Sequence, residues 1–137
     1  MEVSKTDLRK IFTEKRRLLS TEERRTFSAE ICRNVAGTPI FKQSLCVAFY
    51  AADDAEVDLW ELFEKFNGSK KFFLPRYKRE KKIYEMVQIQ DRLYDLTVGK
   101  YGIAEPRMEL SSAAEQEYEC MLYLVPGVAF DDRCQRL

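Results

Sequence analysis

Two short runs of consecutive apolar residues constrain the fold of this chain more than any other feature of its sequence. They are LCVAFYA at residues 45–51 and MLYLVP at residues 121–126. A strand with apolar side chains on both faces must be covered on both, which is typical of a parallel sheet packed between helices. Both runs are therefore predicted to be inner strands of an α/β domain.

Helical patterns occupy the sequence before and between these runs. Apolar residues recur at helical spacing over residues 5–19, with basic residues elsewhere on the helix. A second helix is predicted to open with the capping box STEE at residues 20–23 and to end at the stop signals Gly37 and Pro39. A third helix is predicted from about residue 58 to the glycine at 68, along an apolar stripe.

Two further strands are predicted between the third helix and the last apolar run. KFFLPRY at residues 71–77 is expected to stop at Pro75, and IYEMVQI at residues 83–89 follows the polar tip KREKK. Residues 91–117 mix turn signals with scattered apolar residues and are predicted to be mostly loop with a short helix. The complete pattern predicts an α/β fold with a largely parallel sheet flanked by helices.

The chain of 137 residues contains no histidine. This excludes histidine-based hydrolytic triads, histidine-ligated metals and histidine acid–base catalysis. Chemistry must then use carboxylates, lysine and arginine, backbone amides, a hard cation or groups of the substrate, and phosphoryl transfer suits such a set. The four cysteines are widely spaced without a C-x-x-C pair, which favours reduced structural thiols.

The charge balance argues against two classes of partner. With 23 basic and 23 acidic residues the formal net charge is zero, so no global field attracts nucleic acid or an anionic membrane. The N-terminal segment has no apolar signal region and no stretch is long enough to span a bilayer, which predicts a cytoplasmic location.

Polar residues follow three of the predicted strands at their carboxyl ends, where open α/β sheets bind ligands. An acidic segment at residues 53–58 follows the first strand, Arg76 and Tyr77 follow the second, and Pro126 with Gly127 follows the fourth. We expect these to line one cleft. For the acidic residues, solvation or helix capping is the alternative, and for Arg76 a surface ion pair.

The basic residues of the first helix also allow two interpretations. Lys5 and Arg9 are one helical turn apart and could together hold a polyphosphate. Alternatively, they are simply part of the solvated face of the helix. The charged tip at residues 78–82 is interpreted as a solvated hairpin turn, because no aromatic residues interleave with it.

The same motifs, taken in order, resemble the 5-formyltetrahydrofolate cyclo-ligases, also called methenyltetrahydrofolate synthetases. The resemblance covers essentially the whole chain. It is carried by KTDLR, RRLLS, VAFYAADDAEVD, FFLPRY, YEMV, GIAEP and LVPGVAFDDRCQRL.

This resemblance implies an enzyme that uses ATP and Mg²⁺ to convert 5-formyltetrahydrofolate into 5,10-methenyltetrahydrofolate, releasing ADP and phosphate. In the implied mechanism the formyl oxygen is phosphorylated and N10 of the folate then closes the ring. The nucleophile belongs to the substrate, in agreement with the absence of histidine.

The resemblance also assigns site residues, although it assigns no catalytic residue and no metal ligand in this chain. Lys5 and Arg9 would contact phosphate. The ATP-binding set is Lys5, Thr6, Asp7, Leu8, Arg9, Arg136 and Leu137, and the substrate-binding set is Ala51, Glu56, Arg76 and Tyr77.

The sequence departs from the family pattern after Leu137. In the family a glycine-rich loop of the form G-x-G-x-G-Y-Y-D follows, with later strands. We therefore expect residues 1–137 to form one cyclo-ligase-like domain that lacks this loop, with an incomplete sheet whose exposed edge favours self-association. Two functions stay open: an ATP-dependent cyclo-ligase, or a catalytically inactive form that binds folate or nucleotide.

Overall fold

The computed structural model describes residues 3–137, which form one four-stranded sheet, one two-stranded sheet and five α-helices. No helix in this range is long and apolar enough to cross a membrane. The helices are α1 (Lys5–Arg17), α2 (Thr21–Gly37), α3 (Pro39–Gln43), α4 (Trp60–Phe66) and α5 (Glu115–Glu119). The strands are β1 (Cys46–Ala48), β2 (Lys71–Lys78), β3 (Ile83–Ile89), β4 (Leu96–Val98), β5 (Ala104–Pro106) and β6 (Met121–Tyr123).

The main sheet has the strand order β3-β2-β1-β6. β1 runs parallel to both of its neighbours, β2 and β6, whereas β2 and β3 form an antiparallel hairpin. The predicted α/β fold with a largely parallel sheet is therefore confirmed. Among residues 3–137, β6 pairs with β1 alone and its residues are half-buried or exposed. It therefore forms one edge of the sheet in this range, and the prediction that the run MLYLVP is an inner strand is wrong here.

β1 is the buried centre of the sheet, as its apolar sequence predicts. All three of its residues are buried, and Phe49, directly after it, still donates its backbone N–H to the carbonyl of Phe73 at 3.0 Å. The strand is shorter than the predicted residues 45–51, because the chain leaves the ladder to enter the loop that leads to α4. We call residues 52–59 the Glu56 loop.

Four aromatic rings join the β1 end, β2 and α4. The Phe49 ring lies 5.1 Å from Trp60 and 5.6 Å from Phe72, and Phe63 lies 5.6 Å from Phe72, all in edge-to-face geometry. Such pairs contribute about 0.5–1.5 kcal/mol each beyond the burial of their surface. The cluster fixes α4 against the sheet and thereby the position at which the Glu56 loop ends.

The helical predictions before β1 are confirmed, with one addition. Ser20 and Glu23 form the expected capping box, with N–H···O distances of 2.7 and 3.1 Å. Pro39, however, does more than follow the end of α2. It is the first residue of α3, whose N-cap Thr38 accepts from the N–H of Phe41, because proline fits the first turn of a helix.

The expectation that Pro75 ends the second strand is wrong, because β2 continues to Lys78. Met86, opposite Pro75, directs its N–H to the hydroxyl of Tyr118 at 2.8 Å and its carbonyl to the N–H of Ala113 at 2.7 Å. β3 therefore needs no donor from Pro75, and β1 has already ended opposite Phe73. The missing N–H leaves no unpaired group in the sheet.

The prediction for residues 91–117 is only partly right. β3 has the predicted bounds, and α5 is the expected short helix, but β4 and β5 form an antiparallel pair in the predicted loop. Each of these strands has three residues that are mostly exposed or half-buried. Such short strands show neither a continuous apolar run nor a clear alternation in the sequence.

A buried ion pair joins β2 to β3. Arg76 and Glu85 are cross-strand partners, and the guanidinium donates from Nε and Nη2 to Glu85 Oε1 at 2.9 and 2.5 Å. Its Nη1 donates to the carbonyls of Arg107 and Leu110, so it also holds the segment after β5. Arg76 is 5% exposed, so this pair lies in the interior, whereas the ion pair considered as one of two alternatives from the sequence was at the surface.

Burial raises the pKa of Glu85, but the hydrogen bonds and charge of Arg76, together with the charge of Lys78, outweigh burial and hold it below its ordinary value. For a lowered pKa, the stabilisation is present above the pKa of glutamate in the unfolded chain, about 4.3. It is lost as the pH falls through the lower pKa of the folded state.

We predict that Glu85→Gln lowers the free energy of unfolding by about 3 kcal/mol at pH 7, because it leaves the buried guanidinium without a carboxylate. Urea unfolding measures the change. The matched control is Glu61→Gln in the exposed pair with Lys65, which should cost less than about 0.5 kcal/mol. The gap between wild type and Glu85→Gln should narrow below about pH 4, and a gap that stays constant to pH 3 would contradict the assignment.

Candidate functional site

A cavity of about 300 Å³ lies where β1 and β6 end, at the carboxyl edge of the parallel strands. Four side chains with polar groups line it: Arg16 from α1, Tyr50 after β1, Glu56, and Tyr123 at the end of β6. Its remaining walls are mainly apolar and come from α2, from the Glu56 loop and from the segment after β6. These apolar residues include Ile31, Val35, Leu59, Leu124, Val125, Pro126 and Phe130.

The Glu56 loop is shaped by its own acidic side chains. Glu56 Oε2 accepts from the N–H of Asp53 at 3.0 Å, and Asp53 Oδ1 accepts from the N–H of Ala55 at 2.8 Å. Asp58 Oδ1 accepts from the N–H of Trp60, at the start of α4, as its predicted capping role requires. Glu56 thus holds the loop through Oε2, and its side chain also lines the cavity.

The segment after β6 brings two arginines to consecutive carbonyls. Arg16 Nη1 donates to Gly127 at 3.1 Å, and Arg136 Nη1 donates to Pro126 at 3.0 Å. A Cβ at position 127 would lie 2.5 Å from Cζ of Phe130, so glycine permits this close packing. Arg136, predicted to bind ATP, is thus tied to the turn that lines the cavity.

Arg136 and Leu137 belong to a turn in which residues 135–137 fold back against residues 129–131. The backbone N–H of Leu137 donates to the carbonyl of Ala129 at 3.0 Å, and Phe130 and Arg136 form an isolated antiparallel bridge. Asp131 stabilises the turn between them by accepting from the N–H groups of Arg133 and Gln135. The structure therefore brings the second predicted ATP-binding segment beside the end of β6.

The first predicted ATP-binding segment is the start of α1. The side chain of Asp7 binds the N-cap Ser4, whose hydroxyl donates a hydrogen bond to Asp7 Oδ2 at 2.6 Å. Lys5, Thr6 and Arg9 are exposed, whereas Leu8 is half-buried. Lys5 and Arg9 are thus positioned for a ligand outside the helix, although neither lines the 300 Å³ cavity. Their contact with phosphate stays a prediction.

The remaining predicted substrate residues do not share this cavity, contrary to the expectation of one common cleft. Ala51 lines a neighbouring cavity of about 590 Å³. Tyr77 lines another, of about 420 Å³, where Nζ of Lys100 lies 4.0 Å from its ring. Arg76 is committed to its interior partners. Alternation along β2 separates Arg76 from Tyr77, because successive strand residues face opposite sides of a sheet.

Sequence reasoning missed three residues that bring polar groups to the cavity, Arg16, Tyr50 and Tyr123. Tyr50 stands inside an apolar run, where an aromatic residue is typical of the core, and Arg16 stands among the basic residues of an exposed helix. Tyr50 donates its hydroxyl to the carbonyl of Val57 at 2.9 Å. The position of Tyr50 directly after an inner parallel strand was the available signal, since ligands bind there.

The electrostatics of the cavity keep Tyr50 protonated. Burial, followed by the negative charge of Glu56, raises the pKa of Tyr50 to about 12, although Arg16 acts in the opposite direction. The hydroxyl is therefore a hydrogen-bond donor at any physiological pH.

The part of the chain that the structure describes contains no preformed metal site. Within residues 3–137 no group of three or more cysteine, aspartate or glutamate side chains comes together to hold an ion. Asp53, Glu56 and Asp58 of the Glu56 loop each accept a backbone N–H instead. No chemical step is therefore assigned to a metal ion held by these residues.

The fold and the site define an α/β protein with a partly apolar cavity at the carboxyl ends of its parallel strands, where open α/β sheets bind ligands. The family model for the 5-formyltetrahydrofolate cyclo-ligases matches residues 1–137. A probable 5-formyltetrahydrofolate cyclo-ligase of Schizosaccharomyces pombe is 32% identical over 139 residues, which cover 100% of this chain and 68% of that protein. The chain belongs to the 5-formyltetrahydrofolate cyclo-ligase family.

Solved structures agree with this result. The 5,10-methenyltetrahydrofolate synthetase of Aquifex aeolicus is similar with a TM-score of 0.78 and 35% identity, over 92% of this chain and 62% of that one. A 5,10-methenyltetrahydrofolate synthetase of Mycoplasma pneumoniae shares the fold, with a TM-score of 0.66 and 21% identity, over 98% of this chain and 71% of that one. The chain thus spans roughly two thirds of the length of these relatives.

We predict a distinct alkaline dependence for Tyr50. A raised pKa means that its contribution to stability is complete below the pKa of tyrosine in the unfolded chain, about 10, and is lost as the pH rises toward the folded value. The stability advantage of wild type over Tyr50→Phe should therefore shrink by about 1 kcal/mol between pH 9 and pH 11. Urea unfolding of both proteins measures this, with Tyr94→Phe, at an exposed position, as the control. A constant difference would refute the assignment.

Proposed function

We propose that this chain binds 5-formyltetrahydrofolate in the 300 Å³ cavity and acts as a cyclo-ligase that forms 5,10-methenyltetrahydrofolate at the expense of ATP. One observation carries the proposal: Glu56, which the family resemblance assigns to the substrate, lies in a cavity at the carboxyl ends of β1 and β6. Family membership supports the activity. Residues 1–137 are proposed to act as one cyclo-ligase-like domain.

The cavity has the chemistry that a pterin ring requires. Its apolar walls suit the faces of a flat bicyclic ring, and Glu56 Oε1 can accept from the ring N–H groups. The guanidinium of Arg16 lies on the same cavity and can donate to a carbonyl oxygen. The combination of a carboxylate with a guanidinium matches a ligand that presents both donors and acceptors.

The nucleotide is proposed to lie between α1 and the end of β6. Lys5 and Arg9 would bind phosphate oxygens from one side, and Arg136 and Leu137 would approach from the other. Support comes from Arg16 and Arg136, which donate to neighbouring carbonyls of the Pro126–Gly127 turn and so bring the last turn of α1 beside the second segment. Mg²⁺ is proposed to accompany the phosphates of ATP, with no ligand assigned in this chain.

The proposed reaction uses the substrate's own nucleophile. The γ-phosphoryl group of ATP is transferred to the formyl oxygen, which releases ADP. N10 then attacks the formyl carbon and gives up its proton to the departing phosphate, and loss of this phosphate leaves the methenyl bridge. The protein has to align the two reactants and neutralise the charge that develops, which needs no histidine.

The surroundings of the other predicted substrate residues support different roles for them. Ala51 and Tyr77 line neighbouring cavities and are proposed to contact parts of the folate beyond the pterin. For Arg76, the two bonds to Glu85 and the two to backbone carbonyls favour a structural role over substrate contact.

We predict that Glu56→Gln weakens the binding of 5-formyltetrahydrofolate by at least about tenfold, because a hydrogen bond to a charged acceptor contributes about 1.5–3 kcal/mol. The fluorescence of Trp60, the single tryptophan, reports binding in a titration. The control is Glu64→Gln, an exposed carboxylate of α4. Both variants should unfold within about 0.5 kcal/mol of wild type.

Turnover is measured separately from binding, as ATP-dependent appearance of the methenyl absorbance. Binding with turnover supports the cyclo-ligase. Binding without turnover would favour the inactive binding form that the sequence also allows. Equal dissociation constants for wild type and Glu56→Gln would contradict the site.

A further inference from the structure

One side chain, Arg24 of α2, contacts both α1 and the Glu56 loop. Its Nη2 donates to the carbonyls of Arg16 and Arg17 at 3.3 and 3.2 Å, and its Nη1 donates to the carbonyl of Asp54. The carbonyls at the end of a helix have no partner within the helix, and a cation there is favoured by the helix dipole. A single guanidinium thus satisfies the end of α1 and fixes a point on the loop.

α1 needs such contacts because it packs weakly. None of its residues is buried, although it carries the residues predicted to bind ATP. Apart from the partial burial of a few side chains, it is held by Arg24 at its carboxyl end and by Arg16, which donates to Gly127. Polar contacts at its last turn therefore set the position of the helix relative to the sheet.

The Glu56 loop is held by the same face of α2. Ser28, one turn after Arg24, accepts from the N–H of Asp58 at 3.0 Å, and the thiol of Cys32 lies 3.5 Å from the carbonyl of Asp58. Arg24 holds the loop at Asp54. The loop is thus attached to one stripe of α2 on both sides of Glu56, in a stretch that forms no strand.

We infer that Arg24 is a positioning residue for the reaction proposed above. It fixes the carboxyl end of α1, the helix whose start is proposed to bind phosphate, relative to the loop that carries Glu56. Arg24 does not line the 300 Å³ cavity but an open cavity that it shares with Asp54, Glu56 and Trp60. The inference rests on the proposed function for its catalytic meaning, whereas the structural link between α1 and the loop is independent of it.

The test compares Arg24→Met with Arg25→Met, a neighbouring exposed arginine of the same helix. Backbone hydrogen exchange is followed in α1, in the Glu56 loop and in β2 as an internal reference. We expect protection of α1 and of the loop to fall at least about tenfold in Arg24→Met, with β2 unchanged, since a local contact limits local opening. Arg25→Met should resemble wild type throughout.

Ligand binding supplies the second measurement. The dissociation constant of 5-formyltetrahydrofolate should rise at least about fivefold in Arg24→Met, because an oriented loop no longer holds Glu56. Equal protection and equal affinity in the two variants would overturn the inference, and so would a loss of protection spread evenly over α1, the loop and β2. If Arg24→Met does not fold, Arg24→Lys is judged by the same criteria, because lysine cannot reproduce the forked guanidinium contacts.

Failure of the proposed function is distinguishable from failure of this inference. If wild type does not bind 5-formyltetrahydrofolate, the proposed function is rejected. The exchange data on α1 and the loop still decide whether Arg24 links them.

Discussion

The packing of Phe49 against α4 and β2 is the interaction on which the rest of the domain depends. Its ring contacts Trp60, Phe63 and Phe72, so it joins the end of the central strand to the helix that follows. Tyr50, the next residue, lines the cavity. The hydrophobic core and the candidate site are therefore separated by a single residue step. Because Phe49 is fixed in the core, the backbone position of Tyr50 at the cavity is fixed as well.

Arginine side chains supply hydrogen bonds to the loops, as the backbone ladder supplies them to the strands. The helix ends and turns around the cavity leave carbonyl groups that no strand can pair. Arg16, Arg24 and Arg136 donate to such carbonyls near the cavity, and Arg76 does so in the interior. A guanidinium has five donors in a fixed fork, so one side chain can join two segments. The neutral net charge is thus compatible with strong local fields, because the charges act in pairs and caps.

The sequence was informative where one local force dominates. The apolar run of β1 and the capping box of α2 each determine their element with little help from the rest of the chain. Prediction failed where partners distant in sequence decide. Pro75 is tolerated because Met86 turns its polar groups to Tyr118 and Ala113, and Arg76 is interior because Glu85 and two carbonyls meet it there. The candidate site followed the same division, since the position of Glu56 was predictable and the approach of Arg16 to Gly127 was not.

A reaction in which the substrate supplies its own nucleophile places an unusual demand on the protein. Little remains for side chains to do as acids or bases, so rate enhancement must come from the alignment of the two reactants, where effective molarities reach about 10⁵–10⁸ M. Alignment over two ligands requires that the elements binding them be fixed relative to each other. α1 has no buried residue, and the Glu56 loop forms no strand. Both are nevertheless hydrogen-bonded to side chains on one face of α2. The short α1–α2 connection, which places Arg24 beneath the last turn of α1, is therefore as much a part of the proposed catalytic apparatus as the residues that touch the ligands.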